Sequence, residues 1–274
     1  MRTIILAFAA GFVAAAIAAP AGAAPISYDC QARMTRVETI PPVAPGDASP
    51  WQCVTPTAKP GSATHWYRNS LEYCRLTLSV YDVALAAAQR IAKKAWHNQW
   101  IVLMDADETV LDNSLFEHER LSCGGEFKDA QWESWVAAKM ARDVPGAAAF
   151  TNAVHNLGGL VGIVTNRAQK DDAITQATLK QNGIWFDYEI GMTNTPDKVL
   201  RWRAAVAALK KKFGGHPHAV MWLGDQVTDL PVLSKPPIAI QHAMTQSDSG
   251  AGIGTNLFLL PNPMYGNWTD NPDH

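Results

Sequence analysis

The sequence lacks the marks of several common functions. Of its 274 residues, 23 are Lys or Arg and 25 are Asp or Glu. That near balance leaves no basic field for a phosphate backbone, so a nucleic acid polymer is excluded as a partner. None of the four cysteines, Cys30, Cys53, Cys74 and Cys123, belongs to a CxxC pair, which argues against a zinc site or a redox motif. The eight histidines show no HExxH or other ligand spacing and read as surface or structural residues. There is no internal repeat. The one long apolar run, Ile4 to Ala19, is short for a membrane span, and Pro20 interrupts it. With Arg2 ahead of it and Ala21-Gly22-Ala23 behind it, residues 1–23 read as a secretory signal peptide. An uncleaved anchor is the alternative. Cys30 follows Tyr28-Asp29, which does not match a lipid-attachment site. The expectation is an exported protein, periplasmic or secreted, with its signal removed and no stable membrane anchor. An even number of cysteines in such a chain allows two disulfides, with three connectivities open. Alternatively, Cys74 is a buried free thiol on the apolar face of a helix.

A hydrophobic content of 47% supports a real core, and the length suits one large domain or two small ones. Six prolines between Pro41 and Pro60 mark residues 24–63 as an irregular arm rather than an independent domain. Leu71, Cys74, Leu78, Tyr81, Leu85 and Ala88 are spaced alternately three and four, which predicts one long helix over 64–94. From there strands and helices alternate. The apolar runs 100–104, 160–164 and 219–223 predict buried strands, with shorter ones at 238–240 and 257–260. Helices are expected near 145–156, from about 167 to Gly183, and over 196–213. Residues 115–142 are helical in pattern and rich in aromatics, which suggests an inserted α-helical cap. This alternation predicts an α/β fold: a doubly wound parallel sheet with helices on both faces, a small mainly helical cap and an N-terminal helix.

Polar residues stand where the three main strands end. Asp105 and Asp107 follow the first, Thr165 and Asn166 the second, Asp225 and Asp229 the third, and Lys198 opens the helix between the last two. Open α/β sheets bind ligands just outside the carboxyl ends of their strands. Carboxylates held close together repel, so a site that keeps them ionised usually holds a cation. This ordered set resembles the four motifs of the haloacid dehalogenase (HAD) superfamily of phosphohydrolases. The runs Asp105-Ala106-Asp107-Glu108-Thr109-Val110-Leu111-Asp112-Asn113-Ser114, Val164-Thr165-Asn166-Arg167 and Leu260-Pro261-Asn262-Pro263-Met264-Tyr265-Gly266-Asn267-Trp268 resemble the bacterial class C acid phosphatases. So does Trp66-Tyr67-Arg68-Asn69-Ser70-Leu71-Glu72-Tyr73. The resemblance spans residues 64–268 and makes 64–274 a HAD-like phosphatase domain.

The resemblance implies roles. Asp105 is expected to be the nucleophile, forming an aspartyl-phosphate. Asp107 is expected to protonate the leaving oxygen and then activate water. Mg²⁺ is the implied cofactor, held by the carboxylates of Asp105 and Asp225 and the backbone carbonyl of Asp107, with Asp229 binding or orienting a metal-bound water. Thr165, Asn166 and Lys198 are expected to bind the phosphoryl group. Trp132 and Tyr265 stand where the family flanks a nucleotide base, which points to a small phosphomonoester, with nucleoside 5′-monophosphates as candidates. A homo-oligomer is compatible with the sequence. Three positions depart from the family pattern: Ala106 where a larger apolar residue is usual, Gln226 where Asn is usual, and Thr228 where a further Asp is common.

Taken singly, each residue has a plainer reading. Asp107 fits a turn acid, Thr165 and Asn166 fit caps of the following helix, and Lys198 fits a solvated lysine. Asp229 fits a structural acceptor, Arg167 fits an acid's partner in the fold, and Trp132 and Tyr265 fit core aromatics. Glu108 and Asp112 are expected to satisfy local hydrogen bonds. Two rival functions remain: dehalogenase chemistry, which needs neither Asp107 nor Asp225, and a phosphate- or nucleotide-binding or storage protein with vestigial catalysis.

Overall fold

The computed structural model describes residues 25–231 and 252–270. The expected signal at 1–23 and the short strand expected at 238–240 lie outside the described residues. In chain order the elements are α1 (Cys30–Thr35), α2 (Ser62–Asn69), α3 (Leu71–Ala92), β1 (Trp100–Met104), β2 (Leu111–Asp112), α4 (Ser114–Ser122) and α5 (Asp129–Ala138). There follow β3 (Arg142–Asp143), α6 (Ala147–Asn156), β4 (Leu160–Ala168), α7 (Asp172–Gln181), β5 (Tyr188–Met192), α8 (Val199–Phe213), β6 (His218–Gly224) and β7 (Leu257–Leu259). None of the described helices is long and apolar enough to cross a membrane.

Five strands form one parallel sheet in the order β5-β4-β1-β6-β7. Every residue of β1 is buried, as a strand covered on both faces requires. Its side chains alternate between two cores. Val102 and Met104 pack with Tyr81, Leu85 and Ala88 of α3, Phe150 and Val154 of α6 and Leu179 of α7. Ile101 and Leu103 pack with Trp202, Ala205 and Leu209 of α8. The sheet is therefore doubly wound, and the order reverses beside β1, which places the switch-point crevice at the strand carrying Asp105.

The long helix expected over 64–94 is two helices. Ser70 is extended (φ −93°, ψ 144°) and its hydroxyl accepts from the Tyr73 amide at 3.0 Å, so it starts α3 afresh. Leu71 consequently faces solvent, while the rest of the predicted stripe is buried. The edge strand β5 was not expected: Tyr-Glu-Ile-Gly-Met interrupts its apolar residues with Glu189 and Gly191, so it carries no continuous apolar run.

The arm is less irregular than expected, because α1 forms within it. Asp29 caps α1 through the Ala32 amide at 2.8 Å, and a Cys30–Cys74 disulfide fastens it to α3. Cys74 is thus not a free thiol. A second disulfide, Cys53–Cys123, ties the arm to the end of α4. The stretch 115–142 comprises α4, α5 and their connection through Gly124 and Gly125, both at positive φ. Its return strand β3 pairs antiparallel with β2. Trp51 of the arm meets Trp135 of α5 edge to face at 4.9 Å.

Candidate active site

The chain leaves β1 at Asp105, whose amide still donates to the Leu223 carbonyl of β6 at 3.0 Å. It then turns at once: the amides of Val110 and Leu111 both donate to the Ala106 carbonyl at 2.8 Å. The turn needs Glu108 at φ +54°, a left-handed conformation that costs a non-glycine residue roughly 1–2 kcal/mol. Glu108 offsets that cost by accepting from the Asn113 amide at 2.8 Å, so the loop closes on itself. Burial beside Asp107 and Asp225 pushes the Glu108 carboxyl well up. Asp112 accepts from the Ser114 amide at 2.9 Å and from Arg33 of α1 at 2.9 Å. Burial pushes Asp112 up, but Arg33 and Ser114 outweigh it and hold it below its ordinary value.

Asp105, Asp225 and Asp229 bring carboxylate oxygens within 4.8 Å of one another. Gly224 permits this: a Cβ there would lie 2.2 Å from that of Asp229, so only glycine lets the Val227–Asp229 turn fold back onto the strand end. Lys198, at the N-cap of α8, is buried rather than solvated. Its ammonium lies 2.5 Å from Asp105 Oδ1, as an ion pair rather than a well-directed hydrogen bond, and 2.7 Å from Asp229 Oδ1. Burial opposes that charge, yet Asp105 and Asp229 hold the ammonium above the ordinary lysine value. Asp229 Oδ2 also accepts from the Gln226 amide at 3.0 Å. Burial, partly countered by Lys198, pushes Asp105 up to about 7. Burial, then Asp229 and Asp105, raises Asp225 well above the usual carboxylate range. Three crowded carboxylates facing one ammonium fit a divalent cation, which would relieve the repulsion through hard oxygen donors. Asn262 donates to Asp225 Oδ2 at 2.9 Å and fixes the remaining oxygen's direction.

Asp107 stands opposite this cluster and is held differently. Arg167 and Asn113 both donate to its Oδ1, and Trp135 of α5 donates to Asn113. Arg167 therefore does pair with an acid, and that acid is Asp107. Thr165 is fully buried, and its hydroxyl accepts from the Arg167 amide at 3.1 Å. Neither Thr165 nor Asn166 caps a helix, because β4 runs on to Ala168 and α7 starts after Asp171. Arg201 of α8 donates to the Thr165 carbonyl and, at 2.6 Å, to Asn166 Oδ1.

Asp105, Asp107, Asn166, Asp225, Trp132 and Tyr265 all line one cavity of about 430 Å³. Thr165, Lys198 and Asp229 are not on its wall; they lie behind it, against residues that are. Trp132 packs edge to face on Phe116 at 5.2 Å, beneath the Arg167 guanidinium at 5.6 Å. Phe127, Glu117 and Arg120 add to the same wall. Sequence reasoning did not single out these three, nor Arg201, Asn113 or Asn262, for the site. Asn113 and Asn262 do stand inside family-like runs, but Arg201 is one arginine among many.

The family described as HAD superfamily, subfamily IIIB (Acid phosphatase), matches residues 32–268, and the chain belongs to it. The fold is similar to that of the class C acid phosphatase from Bacillus anthracis, at 25% identity over 75% of this chain and 84% of that one, with a TM-score of 0.65. A class C acid phosphatase from the same organism with tungstate bound matches at 25% identity, 75% and 84% coverage and a TM-score of 0.65.

Proposed function

We propose that this member of the acid phosphatase family is an exported, Mg²⁺-dependent enzyme of class C type. It hydrolyses phosphomonoesters, nucleoside 5′-monophosphates among them, through an aspartyl-phosphate. The observation that carries this reading is the single cavity that unites Asp105 and Asp225 with Asp107 and with an aromatic wall. Tungstate, a tetrahedral oxyanion like phosphate, binds the similar Bacillus anthracis protein. The signal-like residues 1–23 and the two disulfides support export, since disulfides persist in oxidising compartments.

The carboxylate of Asp105 attacks phosphorus. The ester P–O bond breaks with its electron pair on the leaving oxygen, which takes a proton from Asp107. Water then attacks the aspartyl-phosphate and gives a proton to Asp107; the bond from phosphorus to Asp105 breaks and orthophosphate leaves. The Thr165 hydroxyl accepts from the Arg167 amide and donates only at a long 3.5 Å to Asp107 Oδ2, a weak contact from which its proton can turn to a phosphoryl oxygen. Asn166 Oδ1 is occupied by Arg201, which leaves the amide NH₂ as a donor on the cavity wall. Lys198 offsets the charge on Asp105 and on the incoming phosphoryl group. Asp105, Asp225 and the backbone carbonyl of Asp107 would hold Mg²⁺, with Asp229 beside them. When bound, Mg²⁺ supplies charge neutralisation and a fixed seat for the phosphoryl oxygens.

Purified protein and its Asp105→Asn variant should be assayed on a phosphomonoester panel across pH, with and without chelator. Turnover is expected to vanish in Asp105→Asn, with its melting transition retained, and in wild type after chelation. Wild-type-like turnover by Asp105→Asn would sink the nucleophile assignment, and activity surviving full chelation would sink the metal.

A further inference from the structure

Three N–H groups converge on one oxygen of Asp107. Arg167 Nε lies 2.9 Å and Nη2 2.8 Å from Oδ1, and Asn113 Nδ2 lies 2.8 Å from it. A carboxylate oxygen so surrounded has its lone-pair directions filled. Among the described residues, Oδ2 has only the Thr165 hydroxyl, at a long 3.5 Å. Both donors are themselves fixed. Asn113 Oδ1 accepts from Arg167 Nη2 at 3.1 Å and from Trp135 Nε1 at 2.8 Å, which settles the orientation of its amide. Its backbone amide is tied to Glu108 at 2.8 Å. Arg167, Asn113 and Trp135 are all buried, and Arg167 also lies over the Trp132 ring. The chain of contacts runs from the wall of α5, through Asn113 and Arg167, to Asp107.

We propose that Asn113 and Arg167 are positioning residues for leaving-group protonation. They pin Oδ1 of Asp107, so that Oδ2 is the oxygen presented to the ester's leaving oxygen, and they tie that orientation to the α5 wall that holds the leaving group. A two-donor guanidinium fork is what a single charge cannot replace: a lysine at 167 would balance Asp107 but leave its carboxylate plane free to turn. The inference rests on the reading of Asp107 as the acid for the leaving oxygen.

The discriminating measurement is the ratio of kcat/KM for two substrates. An alkyl phosphomonoester expels a basic alkoxide and needs the proton; 4-nitrophenyl phosphate expels a stable phenolate and does not. Because kcat/KM reports steps through the first irreversible one, later hydrolysis of the aspartyl-phosphate does not enter. Loss of general acid catalysis is expected to reach 10²–10⁴-fold. Arg167→Gln should lower kcat/KM on the alkyl ester by about 10²-fold and on 4-nitrophenyl phosphate by less than about tenfold. Arg167→Lys should show the same bias. Trp135→Phe keeps an aromatic ring against Trp51 but removes the indole N–H together with part of the buried ring, so it should lose some stability yet, assayed below its melting transition, shift the ratio the same way by a few fold. Asp107→Asn is the reference and should show the bias in full. If it does while Arg167→Lys and Trp135→Phe lower both substrates equally, the two residues only support the fold and the proposal is overturned. If Asp107→Asn itself shows no bias, the reading beneath the proposal fails, and the proposal with it.

Discussion

Among the described residues Asp225 has no cation of its own: Lys198 spans Asp105 and Asp229, and Asp225 is met by the neutral Asn262. Burial and those two acids drive its pKa well up, so in the absence of metal an ionised Asp225 works against the fold. Asp225→Asn removes the repelling charge and keeps an oxygen for Asn262. In chelator at neutral pH this variant is expected to be more stable than wild type by about 1 kcal/mol or more, or roughly 2–4 °C in melting temperature for a chain of this size. Adding Mg²⁺ should raise the wild-type transition and leave that of Asp225→Asn nearly unmoved, because a ligand stabilises only what it binds. Thermal melts of both proteins with and without Mg²⁺ decide it; equal Mg²⁺ shifts would place the cation elsewhere. Three acids crowded in this way repel one another unless a cation joins them, so an arrangement fit for a metal costs stability without one.

Among the elements, β5 carries the least expected strain. Glu189 is buried on this edge strand; Gln176 of α7 donates to one oxygen at 3.1 Å and the other finds no partner among the described residues. Burial, only partly relieved by Gln176, pushes its carboxyl up to about 7. A raised acid is neutral in the fold where it would ionise in the unfolded chain. Its stability contribution is thus complete below about pH 4.5 and is lost as pH rises through about 7. Wild type should gain stability on acidification from pH 7 to 4.5, against the usual trend of paired carboxylates such as Asp112. Glu189→Gln should be more stable than wild type at pH 8, and the difference should shrink towards zero at pH 4.5. Urea midpoints at the two pH values measure it; a difference independent of pH would mean that the carboxyl is not the cause.

At the scale of the whole molecule, two disulfides bind the N-terminal arm to the rest. They join residues separated by 44 and 70 positions. Chain-entropy arguments assign each about 4 kcal/mol, through the unfolded state. The second has a further consequence. The arm it anchors presses Trp51 on Trp135, the indole that donates to Asn113. Cys53→Ser with Cys123→Ser is therefore expected to lose about 4 kcal/mol of unfolding free energy, and also to lower activity while still folded. Cys30→Ser with Cys74→Ser should lose a similar amount of stability. Chemical denaturation under non-reducing conditions and kcat/KM at a temperature well below both transitions separate the two effects. Equal activity in both double variants and wild type would show that the arm supports the fold alone.

Local physics accounts for how much was legible in advance. A continuous apolar run as short as 100–104, with no helical period, reads as a strand buried on both faces, and acids at its carboxyl end fall where such sheets bind ligands, so the fold class and the candidates Asp105, Asp107 and Asp225 come from short stretches of chain. Turn chemistry and edge position hide elsewhere: Ser70 broke a well-spaced helix because a cap competes with periodicity, and β5 carried Glu189 and Gly191 where an apolar run was sought. The sequence by itself determined the alternation of elements, the order of the motifs and an even set of cysteines. Only the tertiary structure decided which cysteines pair, that Lys198 is shared by Asp105 and Asp229, and that Arg167 and Asn113 meet at one oxygen of Asp107. These are contacts between residues tens of positions apart, and no local preference records them; they exist because packing the helices on a twisted sheet brings those atoms within hydrogen-bonding reach.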